Sequence, residues 1–198
     1  EALLSAQEAL TMVQGQGDPG DELFARVVAL RVGWATSDLE YIQEQLYSSK
    51  PLLQQYDTEG FTPMFMAWEA RLISSTDPQK AAELLFQAQS FPGTRWPYQE
   101  CRLELSLSRS YAALEDFAEA TRRAEAAIRR ADACGFRLYA LKGHCLATLG
   151  KDEATTARHR RIAEGLARSL AANLNKEDAE RFLAAPWLSS CLRIGSIA

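Results

Sequence analysis

Long apolar runs are missing from this chain of 198 residues: no stretch approaches the ~20 residues needed to span a bilayer, and the opening EALLSAQEAL lacks the charged-then-apolar order of a signal peptide. Paired cysteines are missing too. Cys101, Cys134, Cys145 and Cys191 form no C-x-x-C and are too sparse for a secreted disulfide scaffold, so the expected setting is reducing and cytoplasmic. Histidine is scarce, with only His144 and His159, and neither has a nucleophile or metal partner nearby in sequence. Charge of one sign is not in excess, because a net charge of -4 fits neither a disordered acidic tail nor a strongly basic nucleic-acid binder. Sustained period-two alternation between hairpin turns is absent, which argues against strands.

What is present is helical periodicity almost everywhere, on an ordinary 47% hydrophobic content. The pattern predicts an all-α chain with helices over 2–14, 21–35, 38–56 (bent at Pro51), 62–75, 78–90, 97–114, 117–134, 137–149, 152–173 and 176–185. Start signals agree: a Ser37/Glu40 capping box, Thr62-Pro63, Asp77-Pro78 and Asn175, with Gly135 and Gly150 at stops. Short connections make successive helices antiparallel neighbours. Charge is uneven along the chain. Residues 1–100 carry 6 Lys/Arg against 14 Asp/Glu, and residues 101–198 carry 16 against 12. A chain opening at Glu1 rather than Met is expected to be a segment of a longer polypeptide.

The stretch LSRSYAALEDFAEATRRAEAAIRRADA, residues 107–133, spaces small residues at fixed offsets. Ala120, Ala124 and Ala127 form one i, i+4, i+7 stripe, Tyr111 falls near the end of one helix and Phe117 opens the next. Small residues at such points let helix axes cross closely, while aromatics fill the wedges between helix pairs. This resembles the tetratricopeptide repeat, with Leu107-Ser108 standing for its Leu-Gly pair and Ala120 and Ala127 for its alanines. Glu104 stands where that family has tryptophan, Ala124 where it has an aromatic, Glu115 where it has the turn glycine and Asp132 where it closes on proline. Looser copies surround Trp68, Leu72, Asp77, Ala81, Leu85 and Ala88, 39 residues earlier, and Gly143, Leu146, Leu149-Gly150 and Ala154 later. The segment ending in ERFLAAP is similar to the C-terminal end of repeat arrays in large bacterial regulators, such as Ser/Thr kinases, cyclases and MalT-like ATPase transcription factors.

The resemblance implies a right-handed superhelix of antiparallel helical hairpins forming one domain over 1–198. Residues 1–20 supply an N-terminal helix and loop, 21–170 the hairpins, and 171–198 a capping helix and tail. It implies a non-enzymatic protein-interaction or docking module whose first helices line a concave groove. The groove set is Arg102 and Arg109, Arg137 and His144, and Met66 with Ala70. Arginines grip carboxylates with paired donors, so the expected partner is a protein or acidic peptide segment, a neighbouring domain of the same chain, or a second copy. The family's carboxylate clamp also uses asparagines, which these positions lack. Self-association is the structural alternative, and an enzyme of unfamiliar helical type is the chemical one.

Other signals are read as structural. GQGDPG at 15–20 spells G-x-G-x-x-G, but the preceding LLSAQEALTMVQ is helical, so no strand delivers the glycines to a phosphate and no nucleotide cofactor is expected. Glu115-Asp116 and Asp152-Glu153 favour helix starts. ARHRRIAEGLAR, 157–168, is a basic helix without aromatic rings to stack on bases, so nucleic acid is not the expected partner. Arg122, Arg123, Arg129 and Arg130 face away from the alanine stripe and are expected to be exposed. Most aromatics are assigned to the core, with Trp96-Pro97 the exception.

Overall fold

The computed structural model describes residues 2–14, 18–57, 60–91 and 97–193. Among these, eleven α-helices and no strands are found: α1 (Ala2–Val13), α2 (Pro19–Thr36), α3 (Leu39–Tyr56), α4 (Thr62–Ile73), α5 (Pro78–Ser90), α6 (Pro97–Ala113), α7 (Phe117–Ala133), α8 (Arg137–Ala147), α9 (Glu153–Ala171), α10 (Lys176–Leu183) and α11 (Pro186–Arg193). None is long and apolar enough to cross a membrane. By its internal contacts the chain divides into two compact units, Glu1–Thr94 and Arg95–Ala198.

Repetition is visible in the caps. Asp38, Asp77, Asp116 and Asp152 precede α3, α5, α7 and α9, and each carboxylate accepts the backbone N–H three residues on, from Tyr41, Lys80, Glu119 and Thr155. They recur at intervals of 39, 39 and 36 residues, so α2/α3, α4/α5, α6/α7 and α8/α9 are four equivalent hairpins. Two of the turns share more. Ser37 (φ 59°) and Glu115 (φ 60°) are left-handed, and the next residue closes the preceding helix through Asp38 N–H to Gly33 O at 2.9 Å and Asp116 N–H to Tyr111 O at 3.0 Å. The Ser37 capping box is therefore corrected: Ser37 ends α2, and Asp38 starts α3. Thr62 likewise does not cap α4. The Asp57 carboxylate accepts from Phe61 N–H at 2.6 Å and Thr62 N–H at 2.8 Å instead. Asp77 and Asn175 cap as expected, and α3 runs through Pro51 without a break. Gly15, Gln16 and Gly17 of the glycine motif lie outside the described residues; Asp18 caps α2 and Pro19 opens it.

In the first unit α1 packs on α2, α2 on α3, α4 on α5, and α4 also touches both α2 and α3. Leu23, Val27, Leu30, Ile42, Leu46, Met64, Phe65 and Trp68 form its core. Gly33 sits at the α2/α3 crossing, where a Cβ would come 3.0 Å from both Ile42 and Tyr41. Arg71 stacks over Trp34 at 3.8 Å, and Trp34 lies 6.1 Å from Trp68.

In the second unit α6/α7 and α8/α9 are joined by α7 on α8 and α6 on α8, so α8 meets both helices of the preceding hairpin, as α4 does in the first unit. The alanine stripe behaves as expected, with Ala120, Ala124 and Ala127 at 1%, 0% and 0% exposure. Gly143 marks the α7/α8 crossing, where a Cβ would fall 2.6 Å from Ile128 Cγ1 and 3.2 Å from the Ala124 carbonyl. The end of the unit has a feature absent from the predicted helices. α10 packs on α9 and sets Phe182 edge-on to Trp187 of α11 at 6.3 Å, whereas α11 touches α8 and α9 and takes the place of a following first helix. Leu188 and Cys191 of α11 join Leu141, Cys145, Ala163 and Ala167 in a buried cluster.

Candidate interaction surface

Each hairpin helix spends one face on its partner and one on the next pair, and what remains faces outward. On α6 this leaves Arg102, Ser106, Arg109 and Ala113, at i, i+4, i+7 and i+11; Arg102 and Ser106 are half-buried, Arg109 and Ala113 exposed. Counting from the two equivalent caps, Asp38 and Asp116, the same places on α2 hold Phe24, Val28, Arg31 and Ala35, all exposed. Phe24 is 62% exposed. The stripe is cationic on α6 and apolar with one arginine on α2. Arg102 and Arg109 are near enough in space for their like charges to interact: desolvation first, and then Arg102, lowers the Arg109 guanidinium below its usual value. Its surroundings are dense although the side chain reaches solvent, and the exposure is what a partner meets.

Arg137 is exposed at the start of α8 and donates through Nη2 to Ser169 Oγ of α9 at 2.7 Å, which ties it to its own hairpin. Met66 lies in the other unit, half-buried, where it helps line a cavity of about 350 Å³ among Leu46, Leu53, Phe65 and Phe91, with the Lys50–Glu69 ion pair (3.6 Å) beside it. Ala70 is fully buried. His144 is the correction. It is 6% exposed, and its Nδ1 lies 2.8 Å from Nδ1 of His159 on α9. A side chain locked between two helices does not line an open face. One ring must donate and the other accept, so the pair holds complementary tautomers. Desolvation, then the charges of His159 and Arg158, lowers His144 to about 4. Desolvation and Arg158 lower His159 against the opposing pull of Glu125, whose Oε1 lies 3.5 Å from Nε2. The two histidines stand on either side of the α8/α9 turn, His144 three residues before the end of α8 and His159 six after the start of α9, and the hairpin brings them together.

Of the four arginines of α7, Arg122 and Arg129 are exposed as expected and the other two depart from it. Arg123 and Arg130 reach back to Glu104 of α6, at 3.2 Å and 3.3 Å, and Arg123 also meets Glu119 at 2.8 Å. Glu104 is 4% exposed. It occupies the position where the repeat family has a large aromatic, and two guanidinia replace the missing ring contacts with charge-assisted hydrogen bonds. Glu100 pairs with Arg130 at 3.3 Å toward the other end of the helix. Arg123 and Arg130 are thus engaged inside the hairpin, while Arg122 and Arg129 of α7 and Arg109 of α6 are exposed.

Among the described residues no group of three or more His, Cys, Asp or Glu side chains is placed to hold a metal ion. Comparison with protein-family models, with curated proteins and with solved structures returned no match.

Proposed function

We propose that the chain is a non-enzymatic docking module of tetratricopeptide-like hairpins arranged as a right-handed superhelix, and that the outward stripe of its first helices binds an acidic protein segment. One observation carries this reading: at equivalent positions α2 and α6 present outward stripes of different chemistry, apolar with one arginine in one case and doubly cationic in the other. The repeated Asp caps and the glycine crossing at Gly143 support the repeat assignment. Rigid helices presenting fixed side chains bind without ordering themselves, and Arg102 and Arg109 supply orientation through paired donors. A larger regulatory or assembly protein is the context that the resemblance suggests.

The test uses the immobilised chain beside its Arg102→Glu/Arg109→Glu variant, matched for helicity by circular dichroism. Partner capture is compared, with a fluorescent glutamate-rich peptide as the defined acidic probe. Retention by the first and loss by the second supports the reading. Equal retention by both refutes the α6 face as the docking surface. Self-association is a second reading, favoured by Leu4 and Met12 of α1, 62% and 69% exposed; a monomer's molar mass at every concentration in light scattering refutes it.

A further inference from the structure

Cys145 of α8 and Cys191 of α11 are buried in one apolar cluster, at 8% and 5% exposure, and both are free thiols. They lie within hydrogen-bonding reach of each other. Thr148 follows Cys145 by three residues and lies near Cys191: its Oγ1 donates to the backbone carbonyl of Cys145 at 2.6 Å and stands 3.9 Å from Cys191 Sγ. Arg160 of α9 contributes positive charge near Cys191, and its Nε is buried with no hydrogen-bond partner. The other two thiols are elsewhere: Cys101 is buried against Ala131 and Ala140, and Cys134 is exposed at the end of α7.

The geometry points to a dithiol site at which Cys145 and Cys191 are joined by reaction with a small disulfide, fastening α11 onto α8. The two partners are chemically unequal. Hydrogen bonding from the Cys145 thiol favours the thiolate of Cys191, while the same contact and burial disfavour that of Cys145. Cys191 is therefore the attacking sulfur. Its thiolate attacks one sulfur of RS–SR, forming Cys191–S–SR and releasing RS⁻. Cys145 then loses its proton and attacks the Cys191 sulfur, forming the protein disulfide and releasing the second RS⁻. Two thiols are oxidised, one small disulfide is reduced to two RSH, and both thiol protons end on the leaving groups.

Why this pair matters follows from where it lies. α11 is a short terminal helix of eight residues that covers α8 and α9 in the place of a following hairpin. It is held there by the apolar cluster around Leu188, the Thr148–Cys191 contact and Lys142 over the Trp187 ring at 5.6 Å, so a covalent link adds a fixed tie where the packing is small. The same cap must loosen transiently to admit the oxidant, because neither sulfur is open to solvent in the packed state.

The experiment uses the whole chain with Cys134→Ser, which removes the exposed competing thiol, incubated with oxidised glutathione. The expected product has lost two hydrogens by intact mass and yields one cross-linked peptide pair carrying Cys145 and Cys191. Its Tm is higher by about 5–15 °C, reversibly on adding dithiothreitol, as closing a loop of some 45 residues implies. Amide exchange in α11 slows at the same time. Cys191→Ser in the same background shows none of these changes, and its own Tm beforehand establishes that it folds. Three outcomes overturn the inference: both thiols remaining free, a glutathione adduct that never resolves, or a cross-link involving Cys101.

Discussion

Replacing Glu104 by glutamine keeps the shape of the side chain and removes its charge, which isolates what the buried carboxylate does for the α6/α7 hairpin. Glu104 meets Arg123 at 3.2 Å and Arg130 at 3.3 Å, and its side chain is 5% exposed. Breaking a buried ion pair by removing one partner typically costs about 3–5 kcal/mol, because a charge is left without compensation. Here the cost is smaller. Arg123 keeps Glu119 at 2.8 Å, and Arg130 is 41% exposed at its side chain and keeps Glu100 at 3.3 Å. A destabilisation of about 2–3 kcal/mol follows, a Tm lower by roughly 5–10 °C for a chain of this size. The assay is urea denaturation of the wild type, Glu104→Gln, Arg123→Met and the double variant, followed by circular dichroism. Coupling between the two single changes should be about 1–2 kcal/mol and nearly unaffected by 0.5 M salt, since a buried pair is poorly screened. A Glu104→Gln midpoint within error of the wild type would refute the reasoning, and additive single variants would show that Arg123 does not sense the carboxylate.

Other consequences are equally measurable. Glu115→Gly relieves a left-handed residue at φ 60°; it should stabilise the chain by about 0.5–1 kcal/mol in urea melts, since the αL penalty exceeds the entropy that glycine adds to the unfolded chain. Gly143→Ala should cost about 1–2 kcal/mol despite the better helix propensity of alanine, because the new methyl meets Ile128 and the Ala124 carbonyl, and combination with Ile128→Ala should be less than additive. Acid should weaken the second unit through the histidine pair. Above pH 6.5 both states are neutral at His144, whereas below it the unfolded chain takes up a proton that the folded one refuses until about 4. Stability therefore falls as pH drops from about 6.5 to 4, with protons taken up on unfolding. His144→Gln, followed by urea melts at pH 7 and pH 5, should reduce that slope, and an unchanged slope refutes the assignment to this pair.

The helices were legible because their apolar spacing and caps are local, and the alanine stripe of α7 was legible because its only role is close approach. What failed depends on pairing. Ser37 and Asp38 are both good capping residues, and only the left-handed geometry of Ser37 selects the second. Arg123 and Arg130 looked like solvated charges because their partner, Glu104, stands on the previous helix. His144 was placed on an outward face by alignment to a repeat, whereas in the structure α8 turns that side chain toward α9. α11 was missed since PWLSSCLR is too short for periodicity to register. Trp96, singled out as the aromatic most open to a partner, lies outside the described residues.

The departures from the repeat pattern at Glu104 and Ala124 explain one another. A tryptophan at the first position and an aromatic at the second would fill the space between helices with rings. Here a fully buried alanine at 124 lets α7 and α8 close to the distance at which Gly143 is needed, and a carboxylate at 104 draws in two arginines from α7. Ring packing is exchanged for small-residue contact on one side of α7 and an ion network on the other. Each solution requires its partner: an aromatic restored at 124 alone would collide with α8, and one restored at 104 alone would leave Arg123 facing an apolar ring. The same exchange sets the chemistry of the surface. With Arg123 and Arg130 turned inward, the outward charge of the α6/α7 pair comes from Arg122 and Arg129 of α7 and from α6, where Arg102 and Arg109 hold the positions from which α2 presents Phe24 and Arg31.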